Sequence, residues 1–387
     1  MSLKKITFIT GHNWKSNRLG GFHKFAEAAC RAGCEVVFFS FPRPYYSYFM
    51  HQELYNYKTI KELQKGIKYE VSGQTLTNIT FPTFKLPNSA NKILSDGMMN
   101  ALEKSSFHSF KRFAKKYFSG SDAFVFESCD GMLFLDDLKK LFPSAKMIYR
   151  PSDPMMFDGA LPRYVKNESK MVLEADLNII VNNDGLELYR RKIPDFETKA
   201  KYTLLSNGVD IESYEKTYDC PELLKKQNTI LYVGAWEVEW NLLFKAAAET
   251  PDFNYIVVLP NFPSAEIQKR AEERPNLFYV PGISPDQVPA WITNCSVVMV
   301  PYVTDFYKNR PLGITAKYYQ AMAAHKPIVA YCDTPKLAEA GAVVTYTYDD
   351  FIAAVKEAVA KGSKSYNFDL KDRRWDKICE KFLELIK

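Results

Sequence analysis

Lys317 and Gln320 stand three residues apart in the run Asn309-Arg-Pro-Leu-Gly-Ile-Thr-Ala-Lys317-Tyr-Tyr-Gln320-Ala-Met-Ala-Ala-His-Lys-Pro-Ile-Val-Ala330. On a helix, positions i and i+3 share a face, so the ammonium and the amide can reach one ligand. Lysine suits a diphosphate as a compact charge, and glutamine can exchange hydrogen bonds with ribose hydroxyls. Gly313 and Thr315 can open such a helix with its free N–H groups aimed at the phosphates. A surface helix with a solvated lysine is the alternative, and the 22-residue pattern as a whole argues against it.

Two further places could do chemistry. Gly20-Gly21 opens a helical pattern, with His12, Lys15, Arg18 and His23 nearby. Glycines let a backbone approach a phosphate closely, yet a plain turn before an ordinary helix has the same residues. Ser152-Asp153-Pro154 follows a strand expected at Lys146–Arg150. Asp153 could take a proton from an attacking hydroxyl, or it could cap a turn, as Asp before Pro often does. Position alone leaves both readings open.

The elements that must hold these residues alternate between short apolar runs and helical patterns. Strands are expected at Lys5–Thr10, Cys34–Ser40, Ala123–Glu127, Lys146–Arg150 and Leu177–Asn182. A second set is expected at Thr229–Gly234, Tyr255–Leu259, Leu277–Val280, Val297–Tyr302, Pro327–Tyr331 and Val343–Tyr346. Strand, Gly-Gly loop, helix at Phe22–Ala32, Gly33 and strand make a βαβ unit, which builds parallel sheet. The expected fold class is therefore α/β, two doubly wound Rossmann-like domains facing a central cleft. Their bounds are expected at 1–210 and 211–371, with a last helix in 372–387 packing back on the first domain. In such sheets ligands sit at the carboxyl ends of the strands. Residues 43–120 are less regular, and inserted strands and helices are expected there.

The chain has 387 residues, with 51 Lys+Arg against 45 Asp+Glu. Apolar residues at 47% and charged residues at 25% exclude collagenous and disordered classes. Residues 1–200 hold 29 basic and 21 acidic side chains, so the basic excess lies in the first half and favours an acidic partner there. A nucleic-acid partner is not expected at a pI near 8.7. Cysteines 30, 34, 129, 220, 295, 332 and 379 follow no disulfide or zinc spacing, which fits reduced, cytoplasmic thiols. No export signal is expected, and the longest uncharged stretch, Val288–Thr304, is broken by Pro289 and Pro301. Phe107, Phe110, Phe113 and Tyr117 would share one helical face beside four basic residues. Such a helix docks on anionic membrane or packs on a sheet with its lysines outward. Residues 42–50, with Tyr45, Tyr46, Tyr48 and Phe49, are a second candidate for lipid or acceptor contact.

The segment around Lys317 resembles the nucleotide-sugar site of GT-B glycosyltransferases, where a Pro-x-Gly loop leads to a helix ending in Met-Ala-x-x-Lys-Pro. Asn207-Gly-Val-Asp210, Tyr232-Val-Gly234 and Gly282-Ile-Ser284 resemble the same superfamily. Many retaining members carry two glutamates eight apart where this chain has Leu312 and Gln320. A narrower resemblance is to the xanthan-type β-glucuronosyltransferases, inverting GT-B enzymes that elongate lipid-linked oligosaccharides. It rests on His12-Asn-Trp-Lys-Ser-Asn-Arg18 through His23, Phe124-Val-Phe-Glu-Ser128, Met147-Ile-Tyr-Arg-Pro-Ser-Asp153 and Lys317-x-x-Gln320. It spans most of the chain, with 43–120 the least comparable. Ile283 departs from it, standing where an acidic residue is expected.

The resemblance implies a glycosyltransferase with Asp153 as the base, Asp158 and Glu127 being the reserves. It places Gly20, Gly21, Trp236, Tyr302, Thr315, Ala316, Lys317 and Gln320 around the nucleotide-sugar. It implies UDP-glucuronate as donor substrate with no other cofactor, a lipid-linked saccharide as acceptor, and a cytoplasmic protein peripheral on an anionic membrane surface. No Asp-x-Asp pair occurs in the chain, so a metal site is not expected. Lys317 and helix N-termini would then stabilise the leaving diphosphate. A GT-B transferase for another nucleotide-activated sugar, with or without retention, and a catalytically silent nucleotide-sugar- or glycan-binding homologue remain as alternatives.

Overall fold

The computed structural model describes residues 3–16, 20–41, 43–50, 56–234, 238–260, 263–304, 313–366 and 369–387. The chain divides into two compact units, Met1–Ser206 with Asp376–Lys387, and Asn207–Trp375.

The first unit holds β1 (Lys5–Thr10), β2 (Glu35–Ser40), β3 (Arg43–Pro44), β4 (Ile67–Val71), β5 (Gln74–Ile79), β6 (Pro82–Thr83), β7 (Ala123–Phe126), β8 (Lys146–Tyr149), β9 (Leu177–Ile180) and β10 (Tyr202–Leu204). Eight of these form one sheet in the order β10-β9-β8-β7-β1-β2-β5-β4. All neighbours pair in parallel except β4 with β5. The parallel strands are continuous apolar runs because helices cover both sheet faces. Strand order reverses between β1 and β7, so their carboxyl ends, at Thr10 and Phe126, define the switch point.

Residues 43–120 are where the regular pattern breaks. The β4–β5 hairpin turns at Ser72-Gly73, both with φ near +52° to +76°, the left-handed pair that a two-residue type I′ turn requires. The amphipathic helix begins later than the sequence suggests, at Phe110, because Ser109 caps it by accepting from the Arg112 N–H. Phe107 therefore lies outside the helix and is 77% exposed. The helix's apolar face belongs to the core: Phe110 stacks on Phe134 at 3.9 Å and Phe113 sits 4.9 Å from Phe81, while Lys111, Arg112, Lys115 and Lys116 are exposed.

The last helix, Trp375–Ile386, lies on the first unit. Phe382 stacks on Phe25 at 4.1 Å, against the helix Gly21–Arg31.

The second unit holds β11 (Thr229–Val233), β12 (Asn254–Val258), β13 (Leu277–Val280), β14 (Val297–Pro301), β15 (Ile328–Tyr331) and β16 (Val343–Thr345). They form one all-parallel sheet in the order β13-β12-β11-β14-β15-β16. The order reverses between β11 and β14, which puts a second switch point at Gly234 and Tyr302. Among the described residues no helix is long and apolar enough to cross a membrane.

Candidate active site

In the second unit, Lys317 lies in the first turn of the helix Ala316–Ala323 and points to the β11/β14 switch. Its Nζ donates to Tyr302 Oη at 2.6 Å and to Tyr232 Oη at 3.4 Å, and lies 4.9 and 4.8 Å from those ring centres. Burial lowers its pKa to about 7, against the opposing pull of Asp333. Asp333 is itself fixed by the Tyr318 hydroxyl and by the Thr334 N–H at 2.6 Å. Gly234 is needed for this approach: a Cβ there would sit 2.3 Å from Tyr232 Oη and 3.1 Å from Lys317 Nζ.

Thr315 is the N-cap of the Lys317 helix, yet its side chain makes no capping bond. Its Oγ1 is buried and has no hydrogen-bond partner among the described residues. Gly313 enters the helix with φ +56°, the left-handed conformation glycine adopts at least cost. Ala316 is half-buried at the first helical position, and Gln320 is half-buried one turn beyond Lys317. A buried lysine, a helix start and an unused hydroxyl thus meet at one strand switch, an arrangement suited to a phosphate, which would favour the lysine's charged form. Trp236 lies outside the described residues.

In the first unit, three strand ends bring together residues far apart in sequence. Glu127 follows β7 and is buried. It accepts from Thr10 Oγ1, from the Gly11 N–H at 3.3 Å and from Ser152 Oγ at 2.6 Å. His12 Nε2 lies 3.4 Å from the same carboxylate. Burial pushes the Glu127 carboxyl up, but the His12 hydrogen bond and charge, with Ser152 and Thr10, outweigh it and hold it below its ordinary value.

Arg150 is also buried, and burial lowers its pKa to about 10 while Glu127 and Asp153 pull it up, so it stays cationic at neutral pH. Asp153 is exposed, next to Ser152 in the loop after β8. Asp158 pairs with Lys192 at 2.5 Å and Arg191 at 3.3 Å, and Lys192 holds its carboxyl low. Gly20 caps the Gly21–Arg31 helix, and its N–H donates to His23 Nδ1 at 3.2 Å. His23 Nε2 faces the Asn13 carbonyl at 3.0 Å, so the tautomer protonated on Nε2 satisfies both contacts. Burial lowers the His23 pKa, which favours that neutral form.

The structure thus gathers Tyr302, Thr315, Ala316, Lys317 and Gln320 in the second unit. Gly20, Gly21 and Asp153 belong to the first. Sequence reasoning missed Tyr232 as a partner of Lys317, although the Tyr-Val-Gly turn that carries it was visible. It also missed the His12–Glu127–Ser152 bonding, for which no local signal exists. Among the described residues no group of three or more His, Cys, Asp or Glu is placed to hold a metal ion.

Residues 8–181 match the family described as "Glucuronosyltransferase GumK, N-terminal domain". No curated protein matches the chain. Its fold is similar to sucrose-phosphate synthase (tll1590) from Thermosynechococcus elongatus, with TM-score 0.70, 14% identity, and 99% and 98% of the two chains covered. It is also similar to the UDP-forming alpha,alpha-trehalose-phosphate synthase from Burkholderia xenovorans in complex with glucose-6-phosphate, with TM-score 0.67, 11% identity and 99% of each chain covered. A third similar structure is described as trehalose-6-phosphate from E. coli bound with UDP-2-fluoro glucose, with TM-score 0.63, 13% identity, and 99% and 96% covered. These likenesses show the GT-B fold of two Rossmann-like domains. With the matched segment, they support a GT-B glycosyltransferase.

Proposed function

We propose that the protein is an inverting glycosyltransferase that moves glucuronic acid from UDP-glucuronate to a lipid-linked saccharide in surface-polysaccharide assembly. The observation that carries this reading is the Lys317–Tyr302–Tyr232 cluster at the second unit's switch point, beside the unpartnered Thr315 hydroxyl. There the second unit would hold the diphosphate, with Gln320 toward the ribose. Asp153 of the first unit would accept the acceptor hydroxyl's proton as its oxygen attacks the anomeric carbon from the face opposite the leaving UDP. That displacement inverts the centre. Lys317 and the helix start would take up charge on the departing diphosphate, the role a metal fills in other transferases.

Of the three carboxylates considered as base, Asp153 fits best. Glu127 already accepts several hydrogen bonds and its basicity is lowered, and Asp158 is tied to two cations. A retaining enzyme of this fold would be expected to keep glutamates where Leu312 and Gln320 stand. The test is transfer and donor hydrolysis across UDP-, GDP- and dTDP-sugars, with product anomeric configuration read by NMR. Preference for UDP-glucuronate with inversion supports the reading. Preference for another donor, or retention, sends it to a different member of the fold.

The proposed place of work is the inner face of the cytoplasmic membrane. Among the described residues between 46 and 107, six large apolar side chains are exposed: Tyr46, Phe49, Tyr57, Ile93, Met98 and Phe107. Phe107, Tyr45, Tyr48 and Tyr57 form a chain of ring contacts of 5.0 to 5.8 Å, and Lys61 lies over Tyr48 and Tyr57. Lys111, Arg112, Lys115 and Lys116 add outward charge, each contributing about 1 kcal/mol near an anionic surface. The protein is expected to co-sediment with anionic vesicles at low salt and to leave them at high salt. Reversal of these four residues to Glu should abolish binding at low salt. Binding indifferent to salt and to those charges would remove the electrostatic part of the reading.

A further inference from the structure

Glu168 sits on the helix Pro162–Glu174 and is fully buried in the first unit. One carboxylate oxygen accepts from Tyr149 Oη at 2.6 Å and from Tyr189 Oη at 2.8 Å. The other accepts from the Met156 N–H at 2.7 Å. Every one of these partners donates, so the group is arranged as an ionised, acceptor-only carboxylate. Met155 and Met156 belong to the loop 150–161, two and three residues beyond Asp153. On the other side of Asp153, Ser152 is bonded to Glu127. Asp153 therefore stands between two points at which buried carboxylates grip its loop.

We propose that Glu168 is a positioning residue for the transfer reaction: held by Tyr149 and Tyr189, its carboxylate clamps the backbone at Met156 and fixes where Asp153 stands. The inference rests on Asp153 being the general base. The two clamps differ in electrostatics. Glu127 faces His12 and is held low, whereas burial raises Glu168 to about 7 despite its hydrogen bonds. The titratable groups facing Glu168 are Tyr149 from β8 and Tyr189 from the helix Asn183–Lys192, and Asp153 in turn acts on Tyr189. When Glu168 gains a proton, one oxygen becomes a donor among donors. One of the bonds into it must then break or turn round, and the buried tyrosine or amide hydrogen left without its acceptor is costly. Because its pKa is raised, the clamp is complete above about 7 and loosens as pH falls below it.

The experiment compares kcat from pH 5.5 to 9 in the wild type, Glu168→Gln and Tyr189→Phe, with hydrogen exchange of the peptide containing Met155 and Met156. The wild type should show an acid limb near neutrality, and its Met156 amide should lose protection over the same range. Glu168→Gln keeps an acceptor but cannot titrate. Its limb should move down by more than one pH unit, and kcat at pH 8 should fall about tenfold, short of the hundredfold a 1 Å misplacement costs. Tyr189→Phe removes a bond that favours the ionised form, so its limb should move up. A limb at the same pH in all three proteins, or an exchange step that survives in Glu168→Gln, overturns the proposal. Near-normal turnover in Asp153→Asn with the exchange step intact would instead remove Asp153 as the base and leave the clamp standing.

Discussion

Asp153→Asn is expected to lower turnover by a factor on the order of 10²–10⁴, the usual range for a lost general base, while UDP affinity stays the same. The substitution keeps the side chain's shape and removes its ability to hold a proton. The neighbourhood suits the role. Asp153 is exposed, so an incoming hydroxyl can reach it, and it acts electrostatically on the buried Arg150 guanidinium nearby. Steady-state rates with saturating donor, set beside calorimetric UDP binding, separate the two effects. Turnover within a few-fold of wild type would reject Asp153. His12 would then be the group to examine, because its imidazole is braced by the buried Glu127 carboxylate, as a proton acceptor requires.

How much of this was legible in the sequence depended on whether the signal was local. Parallel strands buried on both faces are continuous apolar runs, so β1, β7, β11 and β14 could be read to within a residue or two. β10 is three residues long and half-exposed, too little burial to mark it. β4 alternates between half-buried and exposed positions and pairs only at its hairpin, so it reads as irregular until the Ser72-Gly73 turn is known. The Lys317 segment was legible because strand, turn and helix are contiguous there. Its tyrosine partners were not equally so, since Tyr232 lies 85 residues away and meets Lys317 only because β11 and β14 are neighbours.

The first unit's site was harder still. Thr10, Glu127 and Ser152 come from the ends of three strands, and the Thr10–Glu127 bond spans 117 residues. Glu168 had no signal at all. Flanked by Lys166, Asn167, Ser169 and Lys170, it reads as one more solvated position on a polar helix, and only the fold turns it inward.

Lys317→Ala should weaken UDP binding by about 1.5–3 kcal/mol, the range for hydrogen bonds to charged groups. Transfer should fall further, by roughly 10²–10³ in kcat, the effect of removing one donor to a developing anion. The pH dependence makes this prediction specific to Lys317. Burial lowers its pKa to about 7, so in the free protein the ammonium is largely lost by pH 8. An arriving diphosphate favours the charged form and raises that pKa again. Binding at pH 8 should therefore take up close to one proton, and affinity should decline as pH rises through 7 and above, at most tenfold per unit. Calorimetry in two buffers of different ionisation enthalpy measures the uptake directly. It should vanish in Lys317→Ala. It should vanish also in Lys317→Arg, whose guanidinium stays charged throughout, but whose planar fork is a poor match for the space between Tyr302 and Tyr232. Proton uptake that persists in both variants would place the titrating group, and with it the diphosphate, somewhere other than the β11/β14 switch.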